Sequence, residues 1–181
     1  MTAGRPIIST KSGIRILIDR EDFECLSKFK WHLSGGYAQR TFNIGNYKVR
    51  SEKMHRLVLE RSGVDIEGKI VDHKNFNKLD NRKFNLRLVS SSQNNAHKEK
   101  QRNNKSGFKG VSWDKQARKW KASISIDRKD LNLGRFLTAE EAALKYNEKA
   151  TKLYGDYCYL NKIRVIRLVA LANIKRKIVI L

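Results

Sequence analysis

Cysteine is scarce in this chain, carboxylates are outnumbered, and long apolar runs are missing. The two cysteines, Cys25 and Cys158, lie far apart and form no CxxC pair, which excludes a structural zinc site and a disulfide framework and leaves two ordinary thiols. No run of about 18 uncharged apolar residues is present to span a bilayer. The opening MTAGRPIIST lacks the apolar stretch of a signal peptide. An intracellular, cytoplasmic protein is therefore expected. Against 39 Lys and Arg there are 18 Asp and Glu, and the formal charge of +21 attracts polyanions and repels basic partners. Nucleic acid is the expected partner. The aromatic platform of an RNP motif is absent, which weighs against a structural RNA-binding protein and favours double-stranded DNA.

With 181 residues, 40% of them hydrophobic, the chain has room for one ordinary domain or two small ones. Short alternating runs, IRILI at 14–18 and YKVRS at 47–51, are separated by the turn signals SGG at 34–36 and NIGN at 43–46, a pattern of small strands. MHRLVLER at 54–61 carries helical spacing, with Met54, Leu57 and Val58 on one side. The stretch 97–107 is charged and nearly devoid of apolar residues, as expected of a basic linker.

Beyond it the pattern is cleaner. FKGVSW (108–113), KWKASISI (119–126) and LNLGRF (131–136) read as strands, and TAEEAALKYNEKATKLYG (138–155) reads as a helix. Thr138 and Glu141 have the spacing of a capping box, and Gly155 ends the periodic run. In the middle strand Trp120, Ala122, Ile124 and Ile126 alternate with Lys121, Ser123 and Ser125, so one face is apolar and the other polar. A three-stranded antiparallel sheet packed on one helix is expected. Its open face, with Lys109, Trp113, Lys115, Arg118, Lys121, Ser123, Ser125, Asn132 and Arg135 on it or at its rim, suits groove binding by strands. Trp113 fits the core equally well.

The segment 106–161 resembles the plant ethylene-response-factor (APETALA-two class) DNA-binding domain, through GFKGVSWDKQARKWKASI, LNLGRFLTAEEAALKYNEKATKLYG and the closing YLN. The resemblance implies that the sheet enters the major groove, with contacts from Lys109, Ser112, Lys121, Ser123, Ser125, Asn132 and Arg135. Several of these are Ser or Asn where the plant domains carry Arg or Trp, so base preference does not transfer.

Residues 71–95, VDHKNFNKLDNRKFNLRLVSSSQNN, gather six asparagines around one Asp-His pair. Asn and Asp favour turns by bonding their own backbone, and a polar loop is one reading. The other is phosphodiester cleavage, which needs a base to activate water and a cation to neutralise charge. His73 suits the first role. Asp72 and an asparagine amide suit Mg²⁺ or Mn²⁺.

MHRLVLE followed by this passage resembles HNH endonucleases of the phage and intron-encoded homing type, over about residues 28–96. The pattern is Asp72-His73, Asn85-Leu86 and Asn94, with Asn in place of the second His of the name. The resemblance implies a ββα-metal module around one divalent metal, with His73 as general base, Asp72 and Asn94 as ligands, and Asn85 as a brace of the loop. Motif register favours Asn94 over Asn95. His55 reads as a packed residue rather than a second base, and Arg82 or Arg87 as a phosphate contact. A phage or bacterial host cell is the implied setting.

The combined expectation is an α+β protein: a β-rich leading segment and HNH module at 1–96, a basic linker at 97–107, a DNA-binding domain at 108–161 and a basic apolar tail at 162–181. It would be a site-specific DNA endonuclease acting as monomer or homodimer. The alternative is a non-catalytic DNA-binding regulator.

Overall fold

The structure, a computed structural model, describes residues 7–10, 12–126 and 129–163. The chain divides into two compact units, Met1–Ser91 and Ser92–Leu181. Most of the basic apolar tail lies outside the described residues. No helix among them is long and apolar enough to cross a membrane.

The first unit begins with an antiparallel pair, β1 (Ile7–Ser9) and β2 (Arg15–Leu17), followed by α1 (Arg20–Leu26). A three-stranded meander follows: β3 (His32–Ser34), β4 (Tyr37–Asn43) and β5 (Val49–Lys53). Gly35 and Gly36 close its first turn at φ 58° and 82°, a left-handed pair that costs glycine little. Then come α2 (Met54–Arg61) and a second hairpin, β6 (Ile70–His73) with β7 (Leu86–Val89). α2 spans the expected MHRLVLER and buries Met54, His55, Val58 and Leu59. Its apolar residues join Ile8, Ile16, Ile18, Leu26, Trp31 and Val71 in one core. Trp31 Nε1 donates to the Leu26 carbonyl at 2.8 Å, so the end of α1 pins the indole that fills this core.

The second unit contains α3 (Ser91–His97, beginning at the boundary), the strands β8 (Val111–Asp114), β9 (Lys119–Ile126) and β10 (Lys129–Phe136), and α4 (Ala139–Tyr154). The sheet order is β10-β9-β8, antiparallel throughout. α4 lays Ala142, Ala143, Tyr146 and Ala150 against Val111, Ala122 and Ile124, and the alanines let helix and sheet approach closely. Both halves of the Thr138–Glu141 capping box form. β8 starts at Val111 rather than Phe108. Ser106 Oγ lies 3.0 and 2.8 Å from the carbonyls of Phe108 and Val111, within donating reach of either, and accepts from the Phe108 amide at 3.1 Å, which folds that stretch into a turn.

Candidate active site

Asp72 and His73 end β6, and the register sets Asp72 opposite Arg87 and His73 opposite Leu86 on β7. Directly opposed side chains in an antiparallel pair lie within reach of each other. Arg87 Nε accordingly donates to Asp72 Oδ2 at 3.0 Å, and its Nη2 stands 3.0 Å from the same oxygen.

The loop between these strands is a lattice of side-chain to backbone bonds. Asn75 Oδ1 accepts from the Asn77 amide at 2.9 Å and Asn77 Oδ1 from the Leu79 amide at 3.1 Å, the local bonding that makes asparagine a turn residue. Asn85 is buried at 1% exposure. Its Oδ1 accepts from the Asn75 amide at 3.0 Å and its Nδ2 donates to the Asp80 carbonyl at 2.8 Å. Asp80 accepts from Arg82 through both oxygens at 2.7 Å and from Asn75 Nδ2 at 2.9 Å. The Arg82 guanidinium holds the Asp80 carboxyl below its ordinary range. β2 secures the loop from outside, since the Leu17 amide donates to the Leu79 carbonyl and the Asn81 amide to the Leu17 carbonyl, each at 2.8 Å.

His73 is 4% exposed, and its Nε2 lies 3.4 Å from Asn81 Oδ1. Burial lowers its pKa, against the opposing pull of Asn81, Asp72 and Asp80, so the imidazole is neutral at neutral pH. His55 packs edge-on against it, with ring centroids 4.9 Å apart and planes at 73°. Burial first, then His73, Lys53 and Arg56, push His55 down to about 3. Tyr37 completes the cluster at 5.1 Å from His55 and 6.0 Å from His73. Its phenol is raised by burial and by the Asp72 charge.

Two members of this site, Tyr37 and Asn81, escape a reading of the sequence, and His55 reads there only as a packed residue, which its 4% exposure at the start of α2 matches. His55 and Tyr37 come from separate elements with no spacing rule linking them to His73. Asn81 is one asparagine among six, and only its distance to the imidazole singles it out.

Among the described residues no group of three His, Cys, Asp or Glu side chains is arranged to hold a metal ion. A cation here would therefore use few protein oxygens, completed by water and phosphate, which is the habit of magnesium. Asp72, held in place by Arg87, fits that donor set. The Asp80 carboxylate is committed to Arg82 and Asn75. Asn94 lies on α3, in the second unit.

Of the residues expected on the sheet of the second unit, Ser112, Lys121 and Arg135 form one cross-strand row, with Ser123 and Asn132 paired beside it. Ser125 pairs with Asp130 and donates to it through its hydroxyl. Arg135 Nε donates to Asp114 Oδ2 at 2.7 Å, and Asn132 Oδ1 accepts from the Gly134 amide at 3.1 Å. Lys115 and Arg118 are exposed in the turn after β8. Trp113 opposes Trp120, edge-on at 5.1 Å. It therefore belongs to the face that carries Val111, the helix side, with 48% of its surface exposed at the rim. Lys109 precedes β8. Its ammonium donates to the carbonyls of Asn95, Ala96 and Lys98 at 3.0, 2.6 and 2.6 Å, and burial lowers it to about 8.

Residues 52–96 match a family model described as HNH endonuclease. The chain is 29% identical over 162 residues to the uncharacterized HNH endonuclease L560 of Acanthamoeba polyphaga mimivirus, covering 87% of this chain and 80% of that protein. It is 28% identical over 109 residues to protein 3.8 of Escherichia phage T7, covering 60% of this chain and 89% of that one. No solved structure matches. The matched segment contains Asp72, His73, Asn85 and Asn94, and it supports a nuclease.

Proposed function

We propose that this chain is a metal-dependent, site-specific DNA endonuclease of the homing type, with His73 as general base. The observation that carries the reading is a buried, neutral imidazole beside a positioned carboxylate, inside the segment that matches the HNH endonuclease model. An amide oxygen only accepts, so the contact to Asn81 Oδ1 leaves the proton on His73 Nε2 and a lone pair on Nδ1. That lone pair takes the proton of the attacking water. Asn85 keeps the loop, and with it the imidazole, in place. Arg87 orients Asp72. A divalent cation, Mg²⁺ or Mn²⁺, held by Asp72 and, on motif register, by Asn94, would supply positive charge to the phosphate and the leaving oxygen.

Sequence preference belongs, in this reading, to the polar face of the β8–β10 sheet, which binds double-stranded DNA as the ethylene-response-factor class does. Ser112, Lys121, Ser123, Asn132 and Arg135 are its groove-facing residues, and Lys115 and Arg118 meet phosphates. One catalytic site per chain nicks one strand, and a homodimer cuts both.

The test is a supercoiled-plasmid assay on DNA carrying a target, with Mg²⁺, Mn²⁺ or EDTA, for the native chain and His73→Ala. Metal-dependent nicking that vanishes in His73→Ala is expected. Binding without cleavage by the native chain would replace this reading with that of a DNA-binding regulator.

A further inference from the structure

Two lysines share one aromatic ring beside His73. Lys53 Nζ lies 4.5 Å and Lys78 Nζ 4.3 Å from the Tyr37 centroid, and that ring is 6.0 Å from His73. Neither lysine forms an ion pair among the described residues, although many other cations of the first unit, such as Arg40, Lys69, Arg82 and Arg87, do. Two positive charges against one ring, with no carboxylate paired to either among the described residues, favour an anion nearby.

The backbone holds them there. Lys78 Nζ donates to the Gly35 carbonyl at 3.0 Å, and a Cβ on Gly36 would come 3.4 Å from the Lys78 side chain. The glycine turn of the meander thus makes room for the lysine stem. Lys53 is the N-cap residue of α2, whose start has no side-chain cap and no acidic residue in its first turn. A cation at that position opposes both capping preference and the helix dipole. The first turn of α2 also carries His55, 4% exposed, whose Nδ1 has no hydrogen-bond partner. Local choices that disagree with their own secondary structure are expected where function overrides stability.

We infer that Lys53, Lys78 and Tyr37 form a phosphate cradle that holds the backbone phosphate flanking the scissile one. Which phosphate it holds rests on the nuclease reading. That it holds a nucleic-acid phosphate rests on the cradle alone. Lys53 and Lys78 are positioning residues, and Tyr37 is the platform on which both ammoniums rest.

The experiment measures duplex binding by the full chain in EDTA across a salt series, and nicking of a target plasmid with Mg²⁺ in parallel. Each phosphate contact contributes about 0.9 to the log-log salt slope. Lys53→Gln with Lys78→Gln should therefore lower the slope by about 1 to 2 and slow nicking at saturating DNA. Lys53→Arg with Lys78→Arg should retain both, and Lys69→Gln, whose lysine already pairs with Asp65 at 2.8 Å, should match the native chain. An unchanged slope in the double Gln variant overturns the cradle, even where the native chain nicks DNA. A lowered slope in a protein that never nicks upholds the cradle and defeats the nuclease reading. Titration with inorganic phosphate, followed by the ring signals of Tyr37, provides the last arm. Saturation there, with an unchanged DNA slope, would assign the cradle to free phosphate and overturn the proposal.

Discussion

Acidification from pH 7 to pH 5 should destabilise the first unit through its buried histidines, His55 foremost. The His55 ring is 4% exposed and lies against His73, Tyr37 and the Lys53–Arg56 turn. Those surroundings lower it from 6.5 to about 3. Between those values the unfolded chain binds a proton that the folded chain refuses, so stability rises with pH across the window. The contribution is complete above 6.5 and is lost as pH falls towards 3. Each pH unit in the window is worth about 1.4 kcal/mol, and the interval from 6.5 to 5 therefore costs about 2 kcal/mol. Over the whole window the loss is about 5 kcal/mol, as large as the total stability of many domains. The assay is urea unfolding at pH 7 and pH 5, followed through the protection of α2 amides, for the native chain and His55→Gln. Glutamine does not titrate, whereas the carboxylates are common to both proteins. The native chain should lose about 2 kcal/mol more than the variant. Equal losses would refute the argument, as would an imidazole titration of His55 centred near 6.5.

The same cluster predicts the acid side of catalysis. Because burial lowers His73, nicking should hold its plateau down to a pH below the ordinary histidine value near 6.5, and a limb centred above that would remove His73 as the base. Asn85→Ala strands a buried amide and a buried carbonyl, each worth about 1–3 kcal/mol. It should lower the urea midpoint of the first unit and abolish nicking. In the second unit, a Cβ on Gly110 would stand 2.1 Å from the Tyr146 ring and 2.6 Å from the Ser123 carbonyl, at φ +73°. Gly110→Ala should cost about 3 kcal/mol or more, read as loss of the α4 helical signal on mild heating. Thr138→Ala, which removes the capping box, should cost about 1 kcal/mol in the same melt.

What could be read from the sequence was what short-range rules govern. α2 and β9 coincide with the stretches MHRLVLER and KWKASISI, and α4 with its capping box, because period and caps are local. α1 leaves no such signature, since seven residues carry too little of a 3.6-residue period to stand out. Strand alternation extended back from β8 places Lys109 on the sheet face or its rim, but the Ser106 turn ends that alternation and redirects the lysine. The asparagines, read as ligands or turn residues, divide by role only in three dimensions: Asn75 and Asn77 shape the loop, Asn85 braces it, and Asn81 faces the imidazole. The meeting of His55 with His73 depends on tertiary packing that no spacing rule encodes.

The ammonium of Lys109 has a consequence for how such proteins can be recombined. α3 has seven residues, too short to be helical by itself in water, and its last carbonyls are gathered by a lysine that belongs to the sheet unit. A cut placed just after the matched motif, at residue 97, would leave Asn94 on a helix without its clasp. A graft that exchanges the β8–β10 sheet for another must therefore bring α3 with it, or restore a cation at the position of Lys109. The seam of such an exchange should lie ahead of the helix, inside the segment that matches the HNH endonuclease model.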